Sequence, residues 1–290
     1  MHVDASEALA RHRGLQLAAH ELDLGKFWHS AKVTRKTMPA WVNAWWPYCL
    51  AALPALLTAV VFRSLTAGAT VALAPMYFVI GFALRGLPAH SPMLALDRAW
   101  PLQPAWMLVY GSLYVFVVIL PLVVIRDRQL GERTLRAYIA VMVVAYAGFL
   151  LYPTAAPPRP AVATAGFSAW ALRLAYDLDT PNNCFPSLHV AYAFVAALAC
   201  GRVHRGVGVV AVIWAALIGL STLFTKQHYV VDVVAGGFMG CAAYRVFLKG
   251  HRAADDDAES RRAAERAAGV AGLYAIMVAG FAIAYALAPR

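Results

Sequence analysis

Six stretches of this chain, 43–62, 69–84, 99–125, 137–158, 206–225 and 267–289, contain no Asp, Glu, Lys or Arg. Nothing else constrains the fold as strongly. A bilayer core is crossed by about 20 consecutive apolar residues in helical form, so most of these runs suffice alone. Residues 188–203 and 229–248 are two further candidates, interrupted by polar side chains that carry chemistry. The expected fold is all-α, a polytopic membrane helix bundle of seven or eight spans in one catalytic domain over 43–290. A chain that is 61% hydrophobic and 14% charged is not an ordinary soluble domain.

The net charge of +10 fits basic cytoplasmic loops rather than a nucleic-acid partner, and none is expected. Residues 1–42 are polar and of mixed charge, without a basic segment followed by an apolar core, so they read as an N-terminal interfacial segment rather than a cleavable signal. Trp41, Trp45 and Trp46 follow as an interfacial belt. The four cysteines, Cys49, Cys184, Cys200 and Cys241, form neither a disulfide framework nor a metal pattern.

Short loops set the orientation. Arg126, Arg128, Arg133 and Arg136 separate the third and fourth spans. Arg202 and Arg205 separate the fifth and sixth, and Lys249, Arg252, Arg261, Arg262 and Arg266 the last two. These loops belong on one face, cytoplasmic by the positive-inside rule. Six Lys or Arg in the N-terminal segment oppose this if the first two spans form a tight hairpin around Arg63 to Gly68. The short loops carry more weight. The expected location is therefore a bacterial inner membrane, with the loops at 152–188 and 225–228 on the extracytoplasmic side.

Three polar clusters then share that side: "YPTAAPPRP" (152–160), "NNCFPSLHV" (182–190) and "STLFTKQHYVVD" (221–232). His228 and Asp232 are four apart, one turn of a helix. A carboxylate there orients one imidazole nitrogen and leaves the other free as base or nucleophile. The alternative is a pair that only caps a helix end. His189 follows Pro186 and Ser187 at the head of a span, where a hydroxyl and helix-end N–H groups suit an anion. Arg159 offers a planar fork for phosphate oxygens or snorkels at the interface, and Lys226 is a second cation. Together they suit phosphoryl transfer: nucleophile His228, partner Asp232, acid/base His189, and phosphate contacts from Arg159, Ser187 and Lys226. No metal and no cofactor is expected, since two His and one Asp make a poor ligand set. The loop 161–185, with Trp170, Tyr176 and Asp179, either covers the site or is an ordinary interfacial loop, and the latter is slightly favoured. Asp97 is undecided between roles.

These residues resemble the type 2 phosphatidic acid phosphatase superfamily, whose pattern is a Lys/Arg–Pro segment, a Pro-Ser-x-His-like segment and Ser-Arg-x5-His-x3-Asp. Here "RP" at 159–160 and "PSLH" at 186–189 match. Ser221, His228 and Asp232 keep the third spacing, while Tyr152 and Thr222 stand where the family has Lys and Arg. Those departures are more similar to inositol phosphorylceramide synthases and their bacterial relatives, with sphingomyelin synthases more distant. The resemblance spans about 85–245 and implies a six-helix core over about 85–248 and a phosphohistidine at His228. Its expected partners are membrane lipids, a phospholipid donor and a lipid or ceramide acceptor. Loss of two cations tilts the reading from a monoester phosphatase toward head-group transfer. A lipid phosphate phosphatase remains the alternative, and a proton-coupled transporter the alternative of another class.

Overall fold

The computed structural model describes residues 54–287 apart from 56, 163–164, 180 and 252–256. The interfacial segment 1–42 and most of the first expected span lie outside the described residues.

Six helices among the described residues are long and apolar enough to cross a membrane. They are α1 (Leu65–Ala83), α3 (Pro104–Val124), α4 (Arg128–Leu151), α7 (Arg205–Phe224), α8 (Val230–Phe247) and α9 (Asp257–Leu287). A seventh apolar helix, α6 (Leu188–Cys200), is shorter, with 13 residues. Two further helices do not span, α2 (Ala95–Ala99) and α5 (Phe167–Leu178), and residues 57–61 form a short helical stretch before α1. The all-α membrane bundle expected from the apolar runs is the fold observed. Residues 85–248 hold five of the membrane helices, one fewer than the six expected there; α1, which precedes that range, packs on α4, where Tyr146 Oη donates to Leu73 O at 3.0 Å.

Polar caps start these helices where the apolar runs alone do not mark a boundary. Ser64 Oγ accepts from Ala67 N at 3.0 Å to open α1, just after Arg63 turns the chain at φ 47°. Asp127 Oδ1 accepts from Gln129 and Leu130 N at 2.7 and 3.0 Å and opens α4. His204 Nδ1 accepts from Val207 N at 3.0 Å to open α7. Each cap satisfies N–H groups that have no partner within the helix. The fourth expected span, 137–158, is therefore displaced to 128–151: it begins at the Asp127 cap and admits three arginines at its basic end.

The basic loops do gather at one end. Arg128 Nη2 donates to Arg63 O, Arg202 Nε to His251 O, and Arg133 Nη1 to Phe247 O. His251 Nε2 meets Asp127 Oδ2 at 3.0 Å. Burial alone would raise the Asp127 carboxyl, but the Leu130 N–H, His251 and the Gln129 N–H outweigh it and hold the group below the usual carboxylate range.

Helix α6 is the centre of the bundle, contacting α3, α4, α7 and α8. Ala191, Ala193, Ala196, Ala197 and Ala199 are fully buried along it. Small side chains let neighbouring backbones come close where lipid supplies no hydrophobic drive. Its 13 residues rise about 20 Å, short of the roughly 30 Å hydrocarbon core. Its His189 end is accordingly inset: Val190 packs on Gly219, which lies well before the end of α7 at Phe224.

Candidate active site

The inset end of α6 meets the turn between α7 and α8. That turn is made by Lys226, which takes a left-handed φ of 53° rare for a residue with a side chain. Gln227 and His228 N–H both return to Thr222 O, at 2.9 and 3.3 Å. The first turn of α8 is capped by two carboxylates. Asp232 Oδ2 accepts from Tyr229 N at 2.9 Å, and Asp97 Oδ1, from α2, accepts from Val230 N at 2.7 Å. Asp97 Oδ2 also accepts from Leu94 N at 2.7 Å. Asp97 thus belongs to the frame of the site, strapping the loop 85–103 onto the start of α8.

Close backbone packing brings α8 to α6. A Cβ at Gly236 would lie 2.4 Å from Ser187 O, and one at Gly240 would lie 2.7 Å from Ala191 O. The spacing Gly236–Gly240 is a small-xxx-small contact face. Ser187 N donates to Asp232 O at 3.1 Å across the same seam. The result is a direct pairing of the two imidazoles: His189 Nδ1 lies 3.1 Å from His228 Nε2. His228 Nδ1 lies 3.4 Å from Asp232 Oδ2, near enough for charge pairing but poorly aligned for a hydrogen bond, so Nδ1 and Asp232 Oδ1 are buried without a bonded partner. His228 is 4% exposed and Asp232 fully buried, so the pair meets almost out of reach of water. The two side chains do meet, but not on one helix face: His228 stands two residues before α8, ahead of its N-cap Tyr229, and only Asp232 is helical. The third member, His189, arrives from another helix.

The other three expected residues are placed differently. Ser187 is fully buried; its Oγ accepts from Val190 N at 3.4 Å and caps α6, so hydroxyl and N–H both have partners within the protein. Arg159 is held by three groups: Nη2 donates to Gln227 Oε1 at 2.7 Å and lies 3.8 Å from Asp179, and Nη1 donates to Tyr176 O at 3.3 Å. Its guanidinium also stacks 4.5 Å from the centre of the Tyr176 ring. Its Nε, and Gln227 Nε2, remain buried donors without partners. Lys226 Nζ donates to the carbonyl oxygens of Trp100 and Asp97, and burial holds its ammonium below the usual lysine range. With Arg98 and His228 it lines a cavity of about 150 Å³.

The two positions that lack the family's cations are occupied by packing. Tyr152 stacks on His90 with ring centres 4.1 Å apart, and Thr222 Oγ1 donates to Gly219 O at 2.7 Å. The loop 161–185, slightly favoured as plain interfacial chain, contains helix α5. This helix reaches the site through Tyr176, whose Oη donates to Thr225 O at 2.7 Å. Gln227, Asp97 and Tyr77 also join the site, none named from sequence for this role. A buried acid in an apolar loop is the signal that marks Asp97; nothing local marks Gln227.

Cys184 Sγ, His228 and Asp232 offer ligand atoms within 4.8 Å of one another. Cys184 Sγ donates to Gln227 O at 3.4 Å, and burial first, then the Asp232 charge, push the thiol well above its ordinary range.

The sequence model described as the PAP2 superfamily matches residues 85–246, more than half of the 290 residues. No curated protein and no solved structure matches the chain.

Proposed function

The chain belongs to the PAP2 superfamily, whose members are phosphatases or phosphotransferases, and from that premise we propose that it is a lipid phosphotransferase of the inositol phosphorylceramide synthase type. It moves a phospho-head group from a phospholipid donor to a hydroxylated lipid acceptor, through a phosphohistidine on His228. The observation that carries this reading is the pair of imidazoles 3.1 Å apart, one backed by a fully buried carboxylate.

A separation of 3.1 Å leaves no room for an atom between the rings, so the phosphoryl group enters as His189 turns aside. His228 Nε2 attacks phosphorus in line; the N–P bond forms as the bond to the departing lipid oxygen breaks, and His189 gives that oxygen a proton. An acceptor hydroxyl then gives its proton to His189. Its oxygen attacks phosphorus, the N–P bond breaks and His228 is restored. Asp232 keeps the His228 ring oriented and offsets its positive charge in the intermediate. Arg159 Nε and Gln227 Nε2, buried donors without partners, suit phosphate oxygens.

Transfer is favoured over hydrolysis by the small number of cations. Tyr152 and Thr222 are committed to packing, and the Arg159 fork is largely committed to Asp179, Gln227 and Tyr176. A diester head group carries one negative charge and needs less neutralisation than a dianionic monoester. We read the basic end as cytoplasmic, which puts catalysis at the extracytoplasmic face of a bacterial inner membrane.

The test is reconstituted protein supplied with labelled ceramide or diacylglycerol and, separately, phosphatidylinositol or phosphatidate, with His228→Ala as the blank. A new phospholipid on the labelled acceptor, absent in the blank, supports transfer. Phosphate and diacylglycerol released from phosphatidate, with no new phospholipid in any combination, make the protein a phosphatase.

A further inference from the structure

The two histidines face different cavities. His228 lines the small one, which carries the cations Arg98 and Lys226. His189 lines a larger one of about 450 Å³ between α1, α3, α5 and α9, within the size range of lipid and drug sites. Its walls are apolar, with Met107, Trp170, Leu174, Met277 and Phe281 among them, and no Lys or Arg lines it among the described residues. Its inner end is polar in a different sense. Asp179 accepts from Tyr77 Oη at 2.9 Å, and the Tyr77 ring stands edge-on to His189 at 6.0 Å. A carboxylate, a phenol and an imidazole suit hydroxyl and amide donors, and with the Asp179 charge already paired to Arg159 at 3.8 Å no cation of the lining is left for a phosphate.

In-line double displacement adds a second constraint. The leaving oxygen and the accepting oxygen must both stand opposite His228 Nε2 across phosphorus, hence on one side of the site in turn. The head group stays on phosphorus throughout and needs the other side. We infer that the 450 Å³ cavity is a shared exchange site for neutral lipid alcohols, holding the departing lipid and then the acceptor, while the cationic cavity keeps the head group. This rests on the transferase reading above.

Helix α9 then has a function that the family segment does not supply. It begins at Asp257, beyond residue 246, where the family match ends. Within α9 only Ala263 is buried, yet its later part walls the cavity through Tyr274, Met277, Val278 and Phe281. Two contacts pin it there: Tyr274 Oη donates to Leu108 O, and the Tyr285 ring packs on Phe167 and Trp170 at 6.1 and 5.8 Å. Towards its basic end α9 is fastened, with Arg266 Nε donating to Val123 O at 2.6 Å and Ser260 Oγ to Val203 O at 3.4 Å, so a chain from the lipid enters beside the later part that walls the cavity. Acceptor chain selectivity is therefore set by α9 and α5.

The probe is a diacylglycerol bearing a diazirine on one acyl chain, photolysed with full-length His228→Ala protein in nanodiscs and mapped by peptide mass spectrometry. Labelling is expected on α5 and on the 274–281 part of α9. Ala171→Trp on α5, or Met277→Trp on the opposite wall, fills the cavity and should cut labelling roughly tenfold, as should unlabelled diacylglycerol but not equimolar phosphatidate. Two variants on different helices, each checked for a monodisperse elution profile, separate filling from misfolding. Labelling spread over outward-facing helix surfaces, or unchanged in both folded variants, or competed equally by phosphatidate, overturns the inference. In the active enzyme, released diacylglycerol should compete with the acceptor in a ping-pong pattern. If cavity labelling is found but the wild type only frees phosphate, the transferase reading fails, and the acceptor half of the inference with it.

Discussion

Replacing Gly236 by Ala tests whether the α6–α8 seam sets the distance between the two histidines. The added Cβ would lie 2.4 Å from Ser187 O and 3.2 Å from Ser187 Cβ. A comfortable carbon–oxygen contact is about 3.3 Å, so one helix must give by about 0.9 Å. Ser187 cannot yield alone, because its N–H is bonded to Asp232 O and its Oγ caps α6. The displacement passes to His189, two residues on, and stretches the 3.1 Å imidazole contact toward about 4 Å, beyond hydrogen-bond range. A misplacement near 1 Å at reacting groups costs roughly a hundredfold in rate, and overpacking costs about 1–3 kcal/mol in stability. The assay is kcat/KM for head-group transfer, read beside thermal unfolding in detergent. Gly237→Ala is the matched control: its nearest neighbour beyond the chain is Phe194 Cε2 at 3.8 Å, an ordinary contact, so activity and stability should hold. Gly240→Ala, which meets Ala191 O at 2.7 Å one turn further from the histidines, should lose stability more than rate. A Gly236→Ala enzyme as active as Gly237→Ala would show that the seam does not set the catalytic distance.

Other perturbations separate catalysis from framework. In the first half-reaction, read as a single-turnover burst of leaving group, His189→Ala should lose about 10²–10⁴ in rate with a natural lipid donor and much less with a nitrophenyl-phospho donor whose leaving group needs no proton; equal losses in that burst would rule out His189 as the acid. Asp97→Asn turns one carboxylate oxygen into an N–H donor facing the N–H of Val230 or Leu94, so unfolding should shift by about 1–3 kcal/mol; an unchanged melting curve would deny Asp97 its framing role. Asp127 has a folded pKa below its unfolded value, so its contribution is present above the ordinary Asp range near pH 4 and lost as pH falls through the depressed folded value. Asp127→Ala should flatten the acid limb of the stability profile and cost about 1 kcal/mol at neutral pH, reduced by the partial exposure of this group.

The helices and the His228–Asp232 pair were readable because both are local. Charge-free runs about 20 residues long report their own helices, and a four-residue separation keeps His228 near Asp232 even though His228 lies in the turn before α8. The boundaries slipped where caps decide them, as at Asp127, because hydropathy does not register a single carboxylate. Ser187 and Arg159 were named for their chemistry, but their geometry depends on residues far away in the chain: Asp232 for one, Gln227, Asp179 and Tyr176 for the other. Helix α5 escapes a hydropathy reading because its 12 residues are too short for a span, carry Arg173 and Asp177, and serve a cavity instead.

The chain alone therefore determined an all-α membrane protein and the kind of chemistry it carries, since a backbone in lipid must satisfy its hydrogen bonds within each segment. The tertiary structure decided which imidazole faces which, which cations already have partners within the protein, and which helices wall the apolar cavity. Those outcomes depend on how closely two helices approach, and Gly236 against the Ser187 carbonyl sets that approach through shape, which residue spacing does not encode.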